Sequence, residues 1–326
     1  MLLSGFGAGR ILAGRYKEAE QHCKESLSIN KKIGLVSNSA LLADLGLSLG
    51  LQDKYHESYK FILESRENFR ELYKDDDPVA LNFFGMALIR EGKLIEAEKS
   101  LLTSLSINKK KPPRRNPPEN LQWLGLLYEI RGEWQQSEDN NYKSLEYRWI
   151  GRHYYECAAL TSLVRVRYAQ GAYAASQSLL AEAEQLAQQY EYNDHLASLR
   201  LTQGHLAWEN GNESDALSYY QQAMIYALCY NRFLLDELMS GRPQGTPLRP
   251  IIPYCLERGD EGKKISTSLR DWWKTGVNDI GTSRPDTISP IPENILLLEA
   301  EKLAREREPG DGSPQKSVIE QIEAVL

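Results

Sequence analysis

The chain has 326 residues, is 41% hydrophobic and 26% charged, and carries a formal charge of −6. That composition is ordinary for a folded, water-soluble chain, and its mildly acidic balance disfavours nucleic acid as a partner. The four cysteines, at 23, 157, 229 and 255, are widely spaced with no C-x-x-C, and no apolar run is long enough to span a bilayer, so the reading is a reducing cytoplasm without a disulfide framework, zinc knuckle or membrane span.

The N-terminal MLLSGFGAGRILAG is too broken by glycines and Arg10 to be a signal peptide. GFGAGR lacks the G-x-x-x-x-G-K-[ST] pattern and is not read as a phosphate loop. It belongs instead to a repeat. ILAGRYKEAEQHCKESLSIN, from Ile11, returns as IREGKLIEAEKSLLTSLSIN, from Ile89. Self-similarity at a fixed period is the signature of a stacked array.

Gly7, Gly46, Gly85, Gly125, Val164 and Gly204 form an anchor column at steps of 39 or 40. Seven positions on, Gly14, Asp53, Gly92, Gly132, Gly171 and Gly211 mark a turn. A large side chain follows two later at Tyr16, Tyr55, Leu94, Trp134 and Tyr173, with Glu213 the exception. Small residues come five after the turn (Ala19, Ser58, Ala97, Ser137, Ser176, Ala216) and again seven later (Ser26, Ser65, Ser104, Ser144, Ala183, Ala223). Residues seven apart share a helix face two turns apart. A second helix can therefore approach closely, and large residues just before the anchors, such as Leu45, Phe84 and Leu124, are expected as knobs filling that space. Each repeat reads helix A, tight turn, helix B. Asp77-Pro78 and Asn116-Pro117 place a cap before a proline suited to the first turn of helix A. One pair cannot bury both faces, so the pairs stack.

These columns resemble the tetratricopeptide repeat over roughly residues 1–230. LGLLYEIRGEWQQSEDNNYKSL, from Leu124, is similar to that family's Leu-Gly pair, aromatic residue (Tyr128), glycine turn (Gly132) and small residues on helix B. The family's terminal proline is absent, and the period is longer than the family's usual one. The longer period is similar to the superhelical sensor regions of MalT-like signal-transduction ATPases. The resemblance implies an all-α, right-handed superhelix of about six helix pairs over 1–232. Residues 233–326 are a helical C-terminal extension with Pro/Gly-rich linkers. The apolar start, with Leu2, Leu3 and Phe6, is either an end once preceded by more chain or covered by a partner, or a frayed first repeat.

NKKKPPRRNPPEN, from Asn108, is read mainly as a solvated loop, with a basic docking loop as the other reading. No H-E-x-x-H, H-x-x-x-H or G-x-S-x-G occurs, so no metal site, cofactor or catalytic residue is assigned. In the family, helix A lines the concave surface. The face of helix A opposite the packing columns carries Asn82, Gln122, Glu129, Arg165, Tyr168, His205 and Trp208. Aromatic and arginine side chains there would anchor a bound peptide, or Tyr168 and Trp208 would pack between neighbouring A helices.

The function implied is a non-enzymatic scaffold binding a protein or peptide in its groove. The alternative is the effector-binding sensor fragment of a signal-transduction ATPase whose nucleotide-binding module lies elsewhere. After Tyr230 the period fails at the Gly/Pro-rich break from Met239 to Pro250. Short helices are expected over 251–258, 261–277 and 293–307, and from 314 onward.

Overall fold

The computed structural model describes residues 9–34, 38–110, 117–151, 153–230, 232–241, 247 and 249–275. The expected helices over 293–307 and beyond 314, the apolar start and the basic residues Lys111, Arg114 and Arg115 lie outside the described residues. Among the described residues the structure is all-helical, with no strand. No described helix is long and apolar enough to cross a membrane.

After helical residues 9–12, the helices are α1 (Tyr16–Lys32), α2 (Ser39–Gly50), α3 (Tyr55–Tyr73), α4 (Pro78–Glu91), α5 (Leu94–Lys110), α6 (Pro117–Ile130) and α7 (Trp134–Leu145). A short 3₁₀ turn (Arg148–Ile150) leads to α8 (His153–Ala169), α9 (Tyr173–Gln189), α10 (Asn193–Glu209), α11 (Glu213–Tyr230), α12 (Arg232–Ser240), α13 (Ile251–Leu256) and α14 (Gly259–Thr275). The chain forms two compact units, Met1–Val166 and Arg167–Leu326. The division falls within α8. The expected boundary at 232/233 lies inside the second unit, where α12 follows α11 and packs on it.

The turns are built alike. Gly14, Asp53, Gly92, Gly132, Gly171 and Gly211 all have left-handed φ, between 62° and 86°. At each, the next residue's N–H donates to the carbonyl five positions back, as Lys54 to Leu49 and Glu133 to Tyr128. This bond closes the end of a helix and reverses the chain. Glycine meets the left-handed requirement without cost. Asp53 meets it as an aspartate whose carboxylate accepts from the Tyr55 hydroxyl. At the expected helix start, Asp77 Oδ1 accepts from the Val79 N–H at 2.9 Å, with Pro78 in the first turn.

In the first unit the pairs α2–α3, α4–α5 and α6–α7 make the most extensive contacts. The anchors explain why. A Cβ on Gly46 would stand 2.5 Å from Ile62 Cγ1, and one on Gly85 would stand 2.6 Å from Leu101 Cγ. A Cβ on Gly125 would stand 2.5 Å from the Asn141 amide. Ile62, Leu101 and Asn141 occupy one equivalent position on successive B helices. The knobs that meet the anchor glycines thus come from helix B, in addition to the buried residues before the anchors, such as Leu45 and Leu124.

The seam serines do more than stay small. Ser58 and Ser137 donate to the carbonyls of Gly46 and Gly125. Ser65, Ser104 and Ser144 donate to those of Ser39, Pro78 and Pro118, at the start of helix A. The hydroxyls are thereby satisfied in a seam that excludes water.

Neighbouring pairs join through α2–α4 and α4–α6, and through α1–α2, α3–α4 and α5–α6. The A helices run parallel. Gly50 and Ala87 meet near their C-terminal ends, while Asn82 and Asn120, and Phe83 and Trp123, meet nearer their N-terminal ends. A polar clasp recurs between α1, α3 and α5 and the end of the helix A that follows each. Glu20 accepts from Gln52 and Lys54, Tyr59 bonds Glu91, and Glu98 accepts from Tyr128 and Arg131. Burial alone would raise the Glu20 carboxyl, but hydrogen bonds from Lys24, Lys54 and Gln52 outweigh it and hold it at about 2.

In the second unit, α10 and α11 pair closely, and α9 packs on α10. The short α13 and the longer α14 form a hairpin whose α14 packs on α11. A Cβ on Gly262 would overlap the Cys255 carbonyl, so only glycine permits this approach. Helix α14 buries Gly262, Ile265, Ser266 and Leu269 and exposes Asp260, Glu261, Lys263 and Lys264.

Candidate functional site

The seven residues expected on an open inner wall are buried or nearly so. Relative exposure is 2% at Asn82, 6% at Gln122 and 4% at Glu129, and 8%, 2% and 6% at Tyr168, His205 and Trp208. The Arg165 side chain is 12% exposed. The structure gathers them into separate clusters within each unit.

In the first unit, Asn82 Oδ1 accepts from Asn120 Nδ2 at 2.7 Å, joining α4 to α6. Asn120 in turn accepts from Asn108, at the end of α5. Gln122 is buried on α6. Glu129, near the end of α6, receives both Nε and Nη2 of Arg165 from α8, at 2.6 and 2.8 Å. The Ser162 hydroxyl donates to the same carboxylate at 2.6 Å and accepts from Asn141 Nδ2 at 3.0 Å. This forked, buried pair holds α6 to α8. Removing either partner would strand a charge away from water. Ser162 and Asn141 were not singled out by the sequence columns, which record side-chain size rather than hydrogen bonding. Met86 on α4 and Leu126 on α6, one helix turn beyond Asn82 and Gln122, are half-buried and reachable from solvent.

In the second unit, Tyr168, His205 and Trp208 converge on a segment of the same chain. His205 stands beside Gly204, whose missing Cβ makes room for the Tyr220 ring. His205 Nε2 lies 2.8 Å from the Arg249 carbonyl, and Nδ1 lies 2.8 Å from the Tyr220 hydroxyl. A carbonyl only accepts, so Nε2 carries the proton and Tyr220 donates to Nδ1. The imidazole is neutral, because full burial drives its pKa down to about 3. The Tyr168 ring stacks on His205 with centroids 5.6 Å apart.

The side chain in the middle is Tyr254, from α13. Its ring centroid lies 4.0 Å from that of His205 and 5.4 Å from that of Trp208. Its hydroxyl donates to Glu209 Oε1 at 2.9 Å. The Arg258 guanidinium also pairs with Glu209 and lies 3.8 Å from the centroid of Tyr254. Burial raises the phenol pKa of Tyr254, as it does for Tyr220 and Tyr168. These phenols are therefore hydrogen-bond donors at neutral pH, not phenolates.

The arrangement can hold a planar ring and a guanidinium together. In the first unit, the buried Cys23 thiol is pushed up to about 12 by burial. Among the described residues, no group of three or more His, Cys, Asp or Glu could hold a metal ion. The period could not have pointed to Tyr254 or Arg258 as partners of the expected residues, because 249–258 lies beyond the repeats. No protein-family model matches the chain, and no curated protein is significantly similar to it.

Proposed function

We propose that this chain is a non-enzymatic scaffold of the tetratricopeptide type. In this reading about six helix pairs wind into a right-handed superhelix and present their A helices to a protein or peptide segment. The observation that carries it is the segment 249–258 on α10. There, an A helix already holds a short stretch of chain through a tyrosine ring, an arginine and a backbone carbonyl. Tyrosine and arginine are the anchor types that dominate peptide recognition. Further support comes from the identical turns and glycine-anchored seams, which argue for a uniform stack. A second reading, the sensor region of a signal-transduction ATPase, is favoured by the long period of the anchor column. It differs in the effector bound, not in the wall that binds it.

Site-specific photo-crosslinking tests the wall. A photoreactive residue at Met86 or Leu126 should capture a partner in the source cell, while one at the exposed Ile95 on α5 should not. Capture only from Ile95 would contradict the proposal.

A further inference from the structure

The segment from Arg249 to Arg258 contacts α10 in the way a bound peptide would. Helix α13 has six residues, too few to be stable alone. It follows a stretch, GRPQGTPLRP, with glycines at 241 and 245 and prolines at 243, 247 and 250. Ile251, Ile252 and Cys255 are buried with Tyr254, and α13 packs on α12 and α14, while its polar contacts with α10 converge on His205 and Glu209. Tyr254 fills the space between His205 and Trp208, and Tyr254 and Arg258 both reach the one carboxylate of Glu209. Arg249 gives its carbonyl to His205, lays its guanidinium 4.7 Å from the centroid of Tyr254, and pairs with Glu257. The Arg249–Glu257 pair ties the two ends of the segment together, which lowers the entropy lost on docking.

We propose that residues 249–258 are a built-in ligand of α10, and that the scaffold's partner is a helical protein segment carrying a tyrosine followed four positions later by an arginine, which competes for the same nest. This rests on the reading of the A helices as a peptide-binding wall, and it adds the chemistry of the partner and a regulation. The tyrosine is specified by an aromatic slot that ends in a carboxylate, so a phenylalanine would leave Glu209 short of one donor. The arginine is specified by the planar gap beside Trp208 and by the same carboxylate, a geometry that lysine does not match. A tethered segment competes at an effective concentration on the order of millimolar. The intact chain therefore responds only to a partner that also engages another part of the wall, or after the segment is released.

The experiment uses the full chain and a fluorescein-labelled peptide reproducing residues 248–260, followed by fluorescence anisotropy. The variant Tyr254→Ala with Arg258→Ala should bind the peptide at least tenfold more tightly than the unaltered chain. A peptide carrying Arg258→Lys should bind it more weakly. Because this variant could lose its fold, a second form of the full chain carries a protease site in place of residues 242–246. After cleavage, the inference expects retained helicity by circular dichroism and exchange of the C-terminal piece for labelled peptide. Unfolding on cleavage, or refusal to exchange, overturns it and identifies the segment as permanent core. Crosslinking from Met86 or Leu126 without peptide binding at α10 would overturn the competition and leave the general wall reading standing.

Discussion

The α4–α5 pair and the α10–α11 pair occupy the same columns and solve the same packing problem differently. In α4–α5, the hole left by Gly85 is filled by Leu101, and the adjoining serines point their hydroxyls at helix carbonyls. In α10–α11, the hole left by Gly204 is filled by Tyr220, whose hydroxyl engages His205, which in turn reaches a carbonyl beyond the repeats. The first pair is self-sufficient. The second has a polar requirement that the Arg249 carbonyl meets. A stack can thus keep one backbone design throughout and, by one side chain at a single position, create a polar contact with chain outside the repeats.

The largest expected effect comes from removing the slab on which the second arrangement rests. Trp208→Ala should destabilise by about 3–5 kcal/mol in urea unfolding, the usual cost of emptying a buried tryptophan site. A cost below about 1 kcal/mol would mean that the aromatic cluster is not a unit. The next effect is a pH dependence that the leucine-filled pair lacks. The folded-state pKa of His205 lies at about 3, below its ordinary 6.5. As pH falls, the unfolded chain therefore takes the proton first. The stability tied to the neutral imidazole is full above about pH 6.5 and is lost progressively toward pH 3. Between pH 7 and pH 5 it should fall by about 2 kcal/mol, and His205→Gln should lack this component. Glu20, held at about 2 against an ordinary 4.5, contributes its own loss only below that higher value. A stability unchanged between pH 7 and 5 would place His205 in contact with water.

The smallest effect sharpens the comparison from the other side. Asn141 stands where Ile62 and Leu101 stand in their pairs, and its Oδ1 is buried without a hydrogen bond. Asn141→Leu removes that oxygen along with the bonds its amide donates. It should change stability by less than about 1 kcal/mol, measured by the midpoint of urea unfolding.

Much of this architecture was legible in the sequence, because the physics is local. A left-handed turn residue needs glycine or a tolerant substitute, and all positions from Gly14 to Gly211 adopt that conformation. Small residues seven apart announce a close helix contact, and those columns are buried from Ala19 to Ala223. The short helices expected near 251–258 and 261–277 correspond to α13 and α14. The helix B knobs, set at one spacing from the anchor glycines, were harder to see, because Ile62, Leu101, Asn141 and Tyr220 share no single chemistry. The wall residues could be placed on a helix face but not given partners. Arg165 on α8 meets Glu129 on α6, and His205 on α10 meets Arg249 beyond the repeats. Such long-range meetings follow from how helices stack, which no local pattern encodes.

The central claim is that glycine holes on helix A receive side chains from helix B in a fixed register. A double-mutant cycle on Gly85 and Leu101 tests it most directly. Gly85→Ala alone should crowd Leu101, Leu101→Ala alone should leave a cavity, and the two together should relieve each other. The account predicts a favourable coupling of about 1–3 kcal/mol; additivity within about 0.3 kcal/mol would contradict it, because the two positions would then not touch.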